Sequence, residues 1–123
     1  MILYNDCIRD ILFYVEENIN KNNSSIKITN LIAYLTKYDE YTINCHIIQL
    51  NDVNFIKYVS IADVDVPMLI SDLSSEVHAY IDTIRDDKVW SKIKKLTNGL
   101  DSISMQIFVE YTKAVAISFL PNP

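Results

Sequence analysis

Residues 73–90 carry the most constraining pattern in the chain, because their apolar side chains recur every three or four residues. The segment reads LSSEVHAYIDTIRDDKVW and ends on the only tryptophan. Such spacing places the apolar side chains on one face of an α-helix, which must pack against a core. Asp72 or Ser74 can cap the start of this helix, and Asn98-Gly99 is a typical stop. We therefore predict one amphipathic helix over residues 74–96.

The size and composition of the chain favour one folded domain. A chain of 123 residues, half of them hydrophobic, can bury a core without disulfides or metals. It has one glycine and three prolines. Its turns must therefore be built mainly from Asn, Asp and Ser, whose side chains bond to the local backbone.

The charge and the cysteines limit the function classes. The net charge of −5 and pI near 4.8 disfavour nucleic acid as a partner, because that affinity comes largely from cations on phosphates. Cys7 and Cys45 match no metal-binding spacing and are expected to be buried thiols. The N-terminus lacks a signal-peptide pattern, so we expect a cytoplasmic protein.

The sequence pattern of the N-terminal part of the chain predicts three helices, with a short strand between the first and the second. Residues 5–20 form the first helix, with Asn5 as its cap, and residues 26–28 alternate like a strand. Thr29 then caps a short helix. Asp39 caps a third helix over residues 40–52.

A hairpin follows, with strands at residues 55–62 and 68–71 and a turn at residues 63–67. This element order is that of a winged helix. The predicted fold is α+β and mostly helical, a single domain over residues 1–123 with a small antiparallel sheet and two added C-terminal helices. The domain divides into a winged-helix-like core (5–72), the amphipathic helix described above, here called the signature helix (73–96), and a C-terminal apolar helix (101–120). Charged residues interrupt that last helix, so no membrane span is expected.

The signature helix resembles the pattern L-T-x-x-G-H-x-F-L-D-x-I-R-D-D-x-x-W of a family of uncharacterised phage and prophage proteins. Residues 6–18 and the Cys45-His46-Ile47 element with Leu50 also fit that family. Val77 and Ala79 depart from it, where the family prefers glycine and glutamate. The resemblance implies a winged-helix N-terminal half and a mobile-element origin, and it implies no activity. The matching signature positions are Leu73, Ser74, His78, Tyr80, Ile81, Asp82, Ile84, Arg85, Asp86, Asp87, Val89 and Trp90.

The histidines are the first candidate site residues. His78, Asp82 and Asp86 are spaced to share one helix face, and a metal could use them with His46. The alternative, which we favour, is that one or both histidines bond to the backbone and fix the packing of the helix on the wing, so we expect no metal and no cofactor. Cys7 or Cys45 with a histidine is the only imaginable nucleophile pair, and no glycine-rich loop or hydrolase motif occurs. The prediction is that the protein is not an enzyme.

The charged residues give two candidate surfaces. Arg85, Lys88 and Trp90 can form a partner-binding patch, although Arg85 can instead pair with Asp82 and Trp90 can belong to the core. In a winged helix the third helix meets the DNA bases, but residues 39–53 contain no Lys or Arg. Phosphate contacts would therefore fall to a different helix. Its candidates are Lys92, Lys94 and Lys95.

The last helix is apolar on more than one side. It can form a dimer or partner interface, or it can cross the signature helix and complete the core of the monomer. The candidate dimer residues are Ile103, Ile107, Phe108, Tyr111 and Val115. The function that follows is a non-enzymatic phage or prophage interaction module, binding a host defence or regulatory protein or a second copy of itself. The alternative is a winged-helix DNA-binding regulator.

Overall fold

The computed structural model describes residues 4–19, 24–61, 64–97 and 105–118. These residues form six helices and one three-stranded antiparallel sheet, so the predicted mostly helical α+β class is confirmed. No helix within the described ranges is long and apolar enough to cross a membrane. The elements in chain order are α1 (Asn5–Asn18), β1 (Ile26–Lys27), α2 (Ile28–Tyr34), α3 (Glu40–Asp52), β2 (Ile56–Ile61), β3 (Val64–Leu73), α4 (Ser75–Arg85), α5 (Asp87–Thr97) and α6 (Met105–Ser118).

The sheet has the strand order β1-β3-β2 and is built around a longer β3 than the sequence predicts. The predicted turn at 63–67 is wrong for residues 64–67, which belong to β3. Pro67 pairs with Ser60 of β2, and β1 pairs with β3 only at Leu69 and Ile70. A proline lacking an N–H is therefore tolerated where β3 has a partner on one side only, next to a register shift.

The starts of the first two helices differ from the prediction. Tyr4, and not Asn5, occupies the N-cap position of α1, and no side chain caps it. The short helix α2 begins at Ile28, one residue before the predicted Thr29 cap, so β1 has only two residues. Ile28 is buried, and its packing against the core outweighs the capping preference of Thr29.

α3 begins and ends where the sequence predicts. The Asp39 carboxylate accepts a hydrogen bond from the Thr42 backbone N–H at 2.7 Å, and this bond holds the pKa of Asp39 below its usual value. Ile43, Ile47 and Leu50 are fully buried at helical spacing. The capping residue and the apolar spacing therefore agree on one helix with one inward face.

The prediction of one continuous signature helix is wrong, because the helix breaks at Asp86. Asp86 adopts an extended conformation between α4 and α5. Its Oδ1 accepts hydrogen bonds from the backbone N–H groups of Lys88 at 2.8 Å and Val89 at 3.3 Å. Asp86 thus serves as the N-cap of a new helix. At the other end, Ser74 caps α4 as predicted, accepting from Val77 N–H.

One hydrophobic core joins the helices to the sheet. α1 contributes Ile8, Ile11, Leu12 and Val15, all at most 1% exposed. α6 packs on α5 and α4 and closes the other side of the core with Phe108 and Val115. Each fully buried aliphatic side chain of this kind contributes roughly 1.5–3 kcal/mol through area removed from water. The C-terminal helices therefore belong to the same packed body as the sheet.

Candidate interaction surfaces

The polar side of α1 lies against α4 and α5 and uses most of the signature's charged residues. Arg9 donates through Nε to the Ile84 carbonyl at 3.2 Å, and its guanidinium lies 3.5 Å from the Asp87 carboxylate. Glu16 pairs with Arg85 and lies 3.7 Å from His78 Nδ1. These contacts orient α1 relative to the two helices of the signature.

The sequence reasoning missed this side of α1. Asp6, Arg9, Phe13 and Glu16 follow one another at steps of three, four and three residues, so they form one stripe beside the apolar face. That spacing was a visible signal. Their partners lie 69–88 positions away, and no local pattern identifies them.

Trp90 lies inside this contact and is 5% exposed. Its indole N–H donates to Asp6 Oδ1 at 3.4 Å, and the Arg9 guanidinium lies 5.1 Å from its ring. Arg9 also lies 4.8 Å from the Phe13 ring, so the guanidinium joins two aromatic side chains. Of the predicted patch, Trp90 is therefore packed within its own chain and not accessible to a partner.

Arg85 and Lys88 remain on the surface. The Arg85 side chain is half-exposed and also lies 3.6 Å from Asp82, the ion pair that the sequence spacing predicts. Lys88 is exposed on the far side of α5 from Trp90. The structure thus separates the three patch residues: one is buried, one is paired, and one faces solvent.

The lysines of α5 divide into two groups. Lys94 lies 3.3 Å from the Asp6 carboxylate and belongs to the contact with α1. Lys92 and Lys95 lie with Lys88 on the exposed side, at spacings of four and three residues. Asp87, Lys88, Ser91, Lys92 and Lys95 line a shallow groove of about 550 Å³. We call Lys88, Lys92 and Lys95 the lysine stripe.

The exposed side of α3 has the opposite character. Glu40, Tyr41 and Asp52 are exposed, and Asp39 precedes them at the helix start. The helix contains no lysine or arginine. The surface that would meet base edges in a winged helix is therefore acidic or neutral, which opposes contact with phosphate.

His46 joins the start of α1 to α3 and is fully buried. Its Nε2 accepts a hydrogen bond from the Tyr4 backbone N–H at 3.0 Å, and its Nδ1 donates to the Thr42 carbonyl at 2.8 Å. Burial lowers the pKa of His46, so the neutral ring with the proton on Nδ1 fits both bonds. The predicted backbone-bonding role is confirmed for His46.

The arrangement proposed for a metal does not form. Both ring nitrogens of His46 are engaged with the backbone, and the helix break at Asp86 ends the face that His78 and Asp82 share. No group of three or more metal-ligating acidic, histidine or cysteine side chains occurs within the described ranges.

Cys7 is not an activated nucleophile. Cys7 is buried, and burial together with the nearby Asp10 carboxylate raises the pKa of its thiol to about 12. A thiol with such a pKa is protonated at neutral pH and reacts slowly. Cys45 is partly buried on α3, and neither cysteine forms a disulfide.

α6 presents two different sides. Phe108 and Val115, two of the predicted dimer residues, are buried against the chain's own core. Ile107 and Tyr111, two others, are 49% and 42% exposed, and Ile103 lies outside the described residues. Ala114 and Ile117 continue the exposed side at the next helical positions, with Ile117 67% exposed. We call Ile107, Tyr111, Ala114 and Ile117 the α6 stripe.

Comparison with known proteins identifies the family and leaves the activity open. The chain matches the hypothetical-protein family DUF2513 over residues 3–104, a range that ends before α6 begins. Neither curated proteins nor solved structures give a significant match. The matched residues include α1, the sheet and both helices of the signature, and they cover most of the chain. The protein therefore belongs to the DUF2513 family, whose function is unknown.

Proposed function

We propose that this protein acts by binding another protein and catalyses no reaction. The observation that carries the proposal is the α6 stripe, an apolar surface on a helix whose opposite side already completes the core. Apolar side chains grouped on one exposed helix side are typical of protein-binding surfaces. The acidic α3 and the unreactive Cys7 support a binding role over DNA recognition or catalysis.

The partner classes follow from the sequence resemblance. The resemblance to phage and prophage proteins points to a partner from the bacterial host, so we propose a host defence or regulatory protein in the bacterial cytoplasm. A second copy of the chain is the other occupant of the α6 stripe. The oligomeric state at high micromolar concentration separates the two.

The test replaces apolar side chains of the α6 stripe. The variant Tyr111→Ser with Ile117→Ser removes exposed apolar area and leaves the buried side of α6 intact. Gln106→Ser with Lys113→Ser changes two exposed polar residues of the same helix and is the matched control. We expect wild type and control to dimerise, or to capture the same host protein, and the stripe variant to do neither. Equal behaviour of all three proteins would contradict the proposal.

A second candidate function is a winged-helix DNA-binding regulator. The element order α1-β1-α2-α3-β2-β3, with the strand order β1-β3-β2 in the sheet, favours it, since this is the order of a winged helix. The lysine stripe also offers cations for phosphate. It predicts anisotropy-detected binding to random duplex that weakens steeply between low and physiological salt. Absence of binding at low salt would remove this candidate.

A further inference from the structure

We propose that the lysine stripe of α5 docks an acidic helical segment of the protein partner. This inference rests on the proposed protein-binding function and names the chemistry of the partner. Lys88, Lys92 and Lys95 present three cations along about 10 Å of helix, at a rise of about 1.5 Å per residue. Carboxylates spaced by four and three residues on another helix repeat at the same distances.

The stripe is held outward by the buried side of α5. Val89, Trp90 and Ile93 are at most 6% exposed, and the Asp6 bond fixes the indole of Trp90. Rotation of the helix about its axis would expose these side chains. The stripe therefore keeps one orientation before any partner arrives, which reduces the ordering cost of binding.

Two ammonium groups of the stripe have no carboxylate partner among the residues that the structure describes. Within the described residues, no ion pair engages the side chains of Lys88 or Lys95, whereas Lys94 is paired with Asp6. Ser91 lies between the lysines and adds a hydroxyl to the groove. A partner carboxylate can therefore bind Lys88 or Lys95 without displacing an ion pair.

The charge distribution favours a short acidic segment over a nucleic acid. α5 carries four lysines and one aspartate, a charge of +3. With −5 for the chain, the remaining residues carry −8. A segment of a few helical turns contacts the stripe alone, because charges beyond about 8–10 Å are screened. A duplex, with a charge every ~1.7 Å over its whole length, extends onto the acidic remainder.

Two neighbours of the stripe also suit a peptide. Leu96 follows Lys92 by four residues and is 51% exposed, so an apolar side chain of the partner can cover it. Asp87 lines the groove at its N-terminal end and repels a continuous run of phosphates. A peptide can place a neutral or basic residue opposite Asp87, which a phosphate backbone cannot do.

The first experiment titrates defined probes by fluorescence anisotropy. The probes are a designed helical peptide of about 15 residues with glutamates at spacings of four and three and one flanking leucine, its glutamine version, and a DNA duplex of similar length. We expect the glutamate peptide to bind about tenfold or more tightly than the glutamine peptide or the duplex, and to weaken as salt rises. Tighter binding of the duplex would overturn the proposal in favour of nucleic acid. Equal binding of both peptides would overturn it outright.

The second experiment reverses the charges. K88E/K92E/K95E should weaken binding of the glutamate peptide about tenfold or more. K27E/K57E/K113E changes the net charge equally at exposed lysines elsewhere and should weaken it by less than about threefold. An equal loss in both variants would show a net-charge effect and contradict the stripe. K88Q/K92Q/K95Q repeats the test if the glutamate variant fails to fold.

Capture assays separate this inference from the proposed function. If charge reversal leaves partner capture unchanged while Tyr111→Ser with Ile117→Ser abolishes it, protein binding stands and the acidic segment is wrong. Loss of capture in K88E/K92E/K95E, with retention in K27E/K57E/K113E, would support both. Peptide binding without any captured protein or dimer would count against the proposed function.

Discussion

α3 and α5 are two amphipathic helices of similar length that present opposite charges to solvent. Each begins after an aspartate cap and buries one apolar side. The exposed side of α3 includes Glu40 and Asp52 and no cation, whereas that of α5 carries the lysine stripe. Two helices can thus contribute equally to the core while presenting opposite charges to solvent. The order of helices and strands along the chain therefore does not by itself show which helix carries the cationic surface.

The largest expected effect tests whether both helices belong equally to the core. Ile47→Ala in α3 and Ile93→Ala in α5 each empty a fully buried site and should cost about 2–5 kcal/mol of unfolding free energy. Leu96→Ala, on the exposed side of α5, should stay within about 0.5 kcal/mol and serves as the control. The measurement is urea denaturation. A loss below about 1 kcal/mol for Ile93→Ala alone would make α5 a loosely attached element and break the comparison.

Removal of the aspartate caps of α3 and α5 should have the next largest effect on stability. Asp86→Ala should cost about 0.5–2 kcal/mol, because backbone N–H groups at the start of α5 lose their acceptor. Asp39→Ala should destabilise α3 in the same way. Asp39→Asn and Asp86→Asn keep an acceptor oxygen and should recover most of that loss. If Asp86→Ala were neutral, the break between α4 and α5 would depend on packing and not on the cap.

The pH dependence of stability should distinguish the two helices, since only α3 holds a buried histidine. The folded-state pKa of His46 lies below the ordinary 6.5, so the unfolded chain takes up the proton first as the pH falls. The contribution of His46 is fully present above about pH 6.5 and is lost as the pH falls toward its folded pKa. The lowered pKa of Asp39 acts in a more acidic range, below its ordinary 3.8.

Urea midpoints between pH 8 and pH 5 measure this effect. His46→Gln lacks the titrating group and retains a side-chain oxygen that can accept from Tyr4 N–H. We expect its stability to vary less with pH over this range than that of the wild type. Parallel curves for the two proteins would show that His46 does not cause the acid sensitivity.

The smallest expected effect on stability distinguishes Lys94, which is paired with Asp6, from Lys95 in the lysine stripe. Lys94→Ala removes a half-exposed ion pair with Asp6 and should cost about 0.2–1 kcal/mol at low salt, and less at high salt. Lys95→Ala removes no ion pair with any described residue and should leave the unfolding free energy unchanged within about 0.5 kcal/mol. A larger loss for Lys95→Ala would indicate a structural role for the stripe and weaken its assignment to a partner.

Sequence reasoning succeeded where the signals were local. Asp39, the apolar spacing of α3 and the hairpin pattern all lie within a few residues of what they determine. The break at Asp86 was missed although a signal existed. The apolar series through Val77, Ile81 and Ile84 resumes at Val89, five residues later, which shifts its helical phase.

The candidate surfaces depended on contacts that no local pattern determines. Burial of Trp90 and pairing of Lys94 both involve Asp6, 84 and 88 positions away. The sequence placed Arg85, Lys88 and Trp90 together because they are close in the chain. It could not show which of them α1 would cover. Packing between helices that are far apart in the chain, rather than helix formation, determines which predicted site residues are buried, paired or exposed.

The contact between Trp90 and α1 gives the protein an intrinsic optical reporter. Trp90 is the only tryptophan, and its indole lies beside the Arg9 guanidinium with its N–H on Asp6. Its emission therefore reports separation of α1 from α5, while circular dichroism averages over all the helices. Coincident transitions in the two signals would mean that α1 separates from α5 only when the whole protein unfolds. A shift in emission at a lower denaturant concentration than the circular dichroism transition would show that α1 separates from α5 before the helices unfold.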